Sequence, residues 1–342
     1  MREEADVALS GLTTLRLGGP ARRLLVAETE AETLDAVRSV DAAGESLLVL
    51  GAGSNVVVAD EGFDGTVLRV DTHRSAPAPP GSTHVIEAGV DWDGFVADAV
   101  DQGYAGVEAL SGIPGLVGAA PIQNIGAYGQ ELSQTVDRVR VLDRTTGRVV
   151  ELDRAECGFS YRDSVFKGSE RYVVLAVALS LERSRLGGPV RYAELARTLG
   201  VGTGDRVPAD EVRAAVLDLR RRKGMVLDPA DHDTWSAGSF FTNPRLPAGD
   251  AARLLPADAP RWPEPDGRVK TSAAWLIERS GFGKGYGDGA VRLSGKHTLA
   301  VTNRGGATTR ELLALARTVR DGVRERFGIA LVNEPVLVGC EL

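Results

Sequence analysis

The amino-acid sequence predicts an α+β fold in two or three packed units, and three observations predict it. At 342 residues the chain exceeds the roughly 250–300 residues at which a single hydrophobic core stops growing. Hydrophobic residues make up 43% and charged residues 25%, the balance of a chain that folds throughout rather than one with disordered regions. The opening third reads β-α-β-β-β, whereas the pattern after residue 184 changes character, so the units differ in architecture.

Residues 21–27 form a strand-like run, and Thr29 with Glu32 makes a capping-box pair opening a helix that should stop near Gly44. Residues 46–50 read as a buried strand. After Gly51-Ala52-Gly53-Ser54-Asn55, Val56-Val57-Val58 resumes strand character before the turn-like Gly62-Phe63-Asp64-Gly65 and a further strand at 66–70. Residues 76–81 (APAPPG) are a rigid break between subdomains. A second sheet should begin at His84, a helix cover 91–102, and a glycine-rich stretch run from Gly112 to Gly129, too long for a simple turn. Strands at 135–143 and 148–153 flank the Thr146-Gly147 turn, and 171–182 reads as one long strand.

Residues 184–189 (SRLGGP) mark the next shift. Val212, Ala215, Val216 and Leu219 recur at helical spacing within 209–222. A short strand at 239–242, a helix at 273–280 and strands around Val291 and Leu299 follow. The last helix is the best defined: Thr308 and Glu311 cap it, Leu312, Leu315, Val319, Val323 and Phe327 form its apolar stripe, and Gly328 ends it.

The formal net charge of -7 gives no broad positive field for nucleic acid or an anionic membrane. No apolar run approaches membrane-spanning length, and a cytoplasmic protein is expected. Cys157 and Cys340 lack CxxC spacing and the four histidines form no HxxxH pair, which disfavours disulfides and metal. Lysines number only five, Lys223 among them, directly after Arg220-Arg221-Arg222.

A strand followed by Gly51-Ala52-Gly53 invites a Rossmann reading, but position 56 is valine rather than the third glycine, and a β-branched run replaces the helix whose N-terminus would meet a pyrophosphate. Two readings stay open for this loop: a nest of backbone N–H groups for phosphate oxygens, or a tight hairpin. In the second stretch, Gly112, Gly115, Gly118, Gly126 and Gly129 punctuate the chain, which suits close approach to a large flat ligand, with Gln123 and Asn124 as amides for a heteroaromatic edge.

Five motifs in order carry a resemblance over essentially the whole chain: GAGSN at 51–55, IPGLVGAAPIQNIGAYG at 113–129, YRDSVFK at 161–167, AGSFFTNP at 237–244 and NEPVLVG at 333–339. The sequence resembles the UDP-N-acetylenolpyruvoylglucosamine reductase (MurB) family, in the form that carries a tyrosine loop. The resemblance implies an FAD-binding fold of the vanillyl-alcohol oxidase type, with subdomains at 1–72 and 73–205 and a smaller α+β substrate domain at 206–342. It implies non-covalent FAD, NADPH as hydride donor, a sugar-nucleotide substrate, no metal and a monomer. A flavin oxidase or dehydrogenase of the same fold is the alternative.

By the same resemblance, Gly51, Ala52, Gly53, Ser54, Asn55, Ile113, Gly118, Ala119, Ala120, Gln123, Gly126 and Arg220 bind the cofactor. Tyr128, Tyr192, Lys223, Asn243 and His297 bind the substrate, and Arg162, Ser239 and Glu334 carry the chemistry. Each of the three makes chemical sense. Hydride addition to the β-carbon of an enolpyruvyl ether pushes charge into the carboxylate, so a fixed guanidinium is needed beside it and a hydroxyl to protonate the α-carbon. Alanines at 119 and 120 and histidine at 297 depart from the hydroxyl and amide side chains of some relatives.

Overall fold

The structure, a computed structural model, describes residues 1–75 and 83–342, so the break expected at 76–81 lies outside the described residues. The chain forms two compact units. One comprises Met1–Val7, Ala21–Ala52 and Asp64–Val226, and the other Ala8–Pro20, Gly53–Phe63 and Leu227–Leu342.

In the first unit, the strands Arg2–Ala8, Pro20–Ala27, Phe63–Val70 and Leu47–Leu50 lie in that order in one sheet. Leu47–Leu50 runs parallel to Phe63–Val70, with Leu47 opposite Thr66. The connection between parallel neighbours must cross over, and the chain spends residues 51–62 doing so. The Glu30–Ala42 helix starts where expected, because the Thr29 hydroxyl accepts the Glu32 N–H at 3.2 Å and offsets one of the orphaned first-turn donors.

The second sheet of this unit is antiparallel, in the order Arg148–Asp153, Val136–Asp143, Tyr172–Leu179 and His84–Glu87. Tyr172–Leu179 is apolar almost throughout and buried from Val173 onward. The Trp92–Asp101 helix, capped by Asp91 on the Gly94 N–H at 2.7 Å, buries Trp92, Phe95, Val96 and Ala99 at the spacing of one helical face, in the same core as Val37 and Val177. The Ala209–Arg222 helix belongs to this unit too, packing Val212, Val216 and Leu219 against Leu195 and Ala196 of the Ala193–Leu199 helix.

In the second unit, Val56–Val58 pairs in parallel with Val336–Val338, Val56 opposite Val336. The Thr309–Phe327 helix carries the expected capping box: the Glu311 N–H donates to the Thr308 hydroxyl at 3.2 Å and the Thr308 N–H to the Glu311 carboxylate at 2.8 Å. Gly328 ends it in the left-handed conformation (φ 69°). Leu312, Val319, Val323 and Phe327 are buried as expected, while Leu315 is only half-buried and Leu313 and Ala316 complete the face.

Three elements differ from expectation. The strand expected over 171–182 covers only Tyr172–Leu179, and Glu182–Arg183 pairs instead with Tyr104–Ala105. Residues 239–242 form no strand: Gly238 (φ 73°) turns the chain just before them and Pro244 lacks an N–H just after. That run keeps one bridge, Phe241 to Asn333, and single bonds from Phe240 N to Leu299 O (2.7 Å) and Thr242 N to Val332 O (3.0 Å). The strand expected around Leu299 forms two residues later, as Val301–Asn303 against Val291–Leu293.

Candidate active site

The loop at 51–55 is not a hairpin, since the strand before it pairs with Phe63–Val70 and the strand after it with Val336–Val338. Gly53 sits at φ 60°, and a Cβ there would fall 2.1 Å from the Leu12 carbonyl oxygen, so glycine is required by space as well as by torsion. The Gly53 carbonyl accepts from Thr14 N at 3.1 Å, whereas the N–H groups of Ala52 and Gly53 have no acceptor among the described residues. Adjacent free N–H groups at a left-handed glycine suit an anionic oxygen. The strand pairing rules out the hairpin reading.

The 112–129 stretch is held from below by Asp93, which the sequence reading missed. Its carboxylate accepts from the Gly112 N–H at 2.7 Å and from Arg213 at 2.5 and 2.9 Å. Burial pushes the Asp93 carboxyl up, but these hydrogen bonds and the Arg213 and Arg220 charges outweigh it and leave it below the ordinary carboxylate value. No sequence signal marks Asp93, because the partner arginine is 120 residues away. Gly118 packs against the chain, where a Cβ would lie 2.5 Å from that of Ala88. Gly51 faces Leu116 and Ala119. Ala120 is buried, and Ile113 and Gln123 are half-buried.

Asn124 serves the loop itself. It is fully buried, its amide donates to Glu131 (3.1 Å) and to the Ser160 carbonyl (3.0 Å), and its oxygen accepts from Ser133 N (2.9 Å). With both ends engaged, it has no amide left for a ligand, which corrects the expectation for that side chain.

Arg162 is held in a strained turn. Ser160 and Asp163 exchange backbone hydrogen bonds at 3.0 and 3.2 Å across Tyr161 and Arg162, and Arg162 sits at φ 55°. A left-handed residue at that place is normally glycine or asparagine, and a long side chain there signals a functional demand. The guanidinium donates to the Gly126 carbonyl at 2.7 Å, and Lys167 Nζ braces the Arg162 carbonyl at 2.9 Å.

Tyr128 (φ 48°) is the next residue but one after Gly126. Its ring meets that of Tyr192 edge-on at 5.7 Å, and Lys223 Nζ stands 5.6 Å from it. Burial, opposed by Arg220 and reinforced by Glu194, pushes the Tyr128 phenol up to about 12. Arg220 is pulled down to about 10, chiefly by burial. Its Nη2 donates to the Met225 carbonyl at 2.9 Å, but its Nε is buried with no partner among the described residues. An orphaned guanidinium donor is costly unless a ligand accepts from it. The first unit thus holds Arg162 against Gly126 and Tyr128 against Tyr192 and Lys223, with the Arg220 charge acting on Tyr128.

The second unit gathers the rest. The Glu334 N–H donates to the Phe240 carbonyl at 2.9 Å, which seats Glu334 beside the residue following Ser239. Phe240 and Phe241 are buried anchors, whereas Ser239 and Glu334 are only half-buried. The Asn55 amide reaches the Glu334 carbonyl at 3.5 Å, and Val336 N donates to Asn55 O at 3.0 Å, so the end of the GAGSN loop and the NEPV segment share one place. Asn243 accepts the Ala273 N–H at 3.0 Å and so helps to cap the Ala273–Arg279 helix. His297 lies in a tight loop, its N–H on Ser294 Oγ at 3.3 Å.

Known proteins match this chain in sequence and in overall fold. Residues 21–153 match the domain family described as an FAD binding domain, and residues 228–338 the C-terminal domain of UDP-N-acetylenolpyruvoylglucosamine reductase. The UDP-N-acetylenolpyruvoylglucosamine reductase of Thermobifida fusca is 60% identical, over 98% of both chains. The chain belongs to the UDP-N-acetylenolpyruvoylglucosamine reductase family. The Streptomyces avermitilis reductase is 56% identical over all of this chain and 96% of its own. The crystal structure of the Thermus caldophilus reductase superimposes with a TM-score of 0.70 at 27% identity, covering 99% of each chain.

This reductase-family chain therefore has the expected α+β fold, an FAD-binding portion followed by the family's C-terminal portion, and FAD is its cofactor. The free N–H groups at 52–53 and the orphaned Arg220 Nε fit such a group. None of the helices among the described residues is long and apolar enough to cross a membrane, and no cluster of metal-ligating side chains occurs among them.

Proposed function

We propose that this chain reduces the enolpyruvyl group of UDP-N-acetylenolpyruvoylglucosamine to give UDP-N-acetylmuramate, with NADPH as the source of reducing equivalents. Bound FAD supplies hydride transfer. The residues of this chain do the rest. Gly51, Ala52, Gly53, Ser54 and Asn55 hold phosphate oxygens, and Ile113, Gly118, Ala119, Ala120, Gln123, Gly126 and Arg220 line the cofactor, the two alanines through their backbone. Lys223 meets the substrate diphosphate, with Tyr128, Tyr192, Asn243 and His297 as further substrate contacts. Asn243 contributes through its Nδ2, since its oxygen is engaged at the helix cap.

As charge develops on the substrate carboxylate, Arg162 stabilises it and Ser239 Oγ delivers a proton to the α-carbon. A hydroxyl, though a weak acid, suffices because the enediolate-like carbanion is strongly basic. Glu334 orients and polarises this pair. In this reading residues 1–72 and 73–205 mainly serve the cofactor and 206–342 mainly the substrate, with Arg220 crossing to the cofactor and Tyr128 and Tyr192 to the substrate, in a cytoplasmic monomer.

The observation that carries the reading is the Arg162 turn, where a bulky cation, held on the Gly126 carbonyl, occupies a left-handed position usually given to glycine or asparagine. The test is Ser239→Ala in separated half-reactions. Flavin reduction by NADPH under anaerobic conditions should survive, and reoxidation by the enolpyruvyl nucleotide should slow by about 10²–10⁴-fold. Equal loss in both halves would remove Ser239 as the proton donor. Fast reoxidation by oxygen, with no response to the nucleotide, would point instead to an oxidase.

A further inference from the structure

The Lys223 amine is already occupied by an anion. It caps the C-terminus of the Ala209–Arg222 helix, after three arginines, where the macrodipole favours positive charge. Its Nζ donates to Glu194 Oε2 at 2.5 Å, with about a third of each side chain exposed (31% and 32%). Glu194 lies in the first turn of the Ala193–Leu199 helix, two residues after Tyr192. Tyr192 in turn leans edge-on against Tyr128, whose ring lies beneath the same Nζ. Lys223 therefore meets both Glu194 and the Tyr128 ring, which in turn carries Tyr192, two residues before Glu194 in the chain. After burial, the Glu194 charge is among the influences that raise both phenols.

We propose that Glu194 is an internal stand-in for the ligand's phosphate, a carboxylate that holds Lys223 until a diphosphate displaces it and thereby releases the Tyr192-bearing segment. The inference rests on the reading of Lys223 as the diphosphate contact. The Glu194 carboxylate takes one of the three Nζ donors and part of the ammonium's charge, and a second anion drawn to the same amine is repelled by it. The apparent affinity for a diphosphate is reduced by the fraction of molecules in which the amine is already paired. A partly exposed ion pair of this kind reduces it by about three- to fivefold.

The test titrates UDP into the FAD-loaded protein by calorimetry. Glu194→Gln keeps size and hydrogen bonding but removes the charge, and should tighten UDP binding by about three- to fivefold. Glu194→Asp keeps the charge and should stay within about twofold of the parent. Inorganic pyrophosphate should show the same gain as UDP, and uridine none. Structural damage weakens binding, so a gain specific to phosphate marks displacement of the carboxylate. Lys223→Ala separates the two readings. If it leaves UDP affinity unchanged, the diphosphate assignment falls. If it weakens UDP while Glu194→Gln gives no gain, Lys223 stands and the role of Glu194 is overturned.

Discussion

Replacing Arg162 with glycine and, separately, with alanine tests whether the turn at 160–163 is strained for function. Both variants lose the guanidinium and its 2.7 Å bond to the Gly126 carbonyl, so their difference isolates the backbone. At φ 55° a residue with a Cβ carries about 1–2 kcal/mol of left-handed penalty, which glycine escapes. Glycine gives back about 0.4–1 kcal/mol through the larger freedom of its unfolded chain. The net expectation is Arg162→Gly more stable than Arg162→Ala by about 0.5–1 kcal/mol, or about 1–3 °C in melting temperature for a chain of this size. Scanning calorimetry of the FAD-loaded variants measures the difference. Reoxidation by substrate should fall equally in the two, since neither offers a cation. If alanine is as stable as glycine, the backbone at 162 stores no strain and the argument from torsion to function fails.

Two further outcomes follow from the same geometry. Gly53→Ala places a Cβ against the Leu12 carbonyl oxygen at a positive torsion, which should cost about 2–4 kcal/mol locally; purified protein should carry less FAD per chain, read from its visible absorbance. Asp93 has a folded-state pKa held below its unfolded value, so its contribution to stability is complete above the unfolded value near ~4 and is lost as pH falls through the lower folded value. The melting temperature of the parent should therefore drop more steeply below pH ~4 than that of Asp93→Asn, and parallel slopes would contradict the role of Asp93 beneath Gly112.

Local rules made much of this chain legible before any coordinates. The Thr308–Glu311 capping box, the Gly328 stop, the Thr29 cap and the apolar period of the last helix are all interactions within a few residues, so composition and spacing suffice to see them. The missing third glycine and the valine run ruled out a Rossmann loop for the same reason. Ordered motifs named the family and its cofactor, which the matches to known proteins bear out.

Tertiary structure alone decided which partner each strand and side chain found. Val56–Val58 pairs with residues 280 positions onward, a bond whose loop-closure cost and geometry no local window contains. The same holds for Asp93 with Arg213, for Asn124 turned inward to Ser160, and for Glu194 on Lys223. Side-chain identity states what chemistry a residue can perform. Only folding determines whether its hydrogen bonds are spent on the protein or left for a ligand.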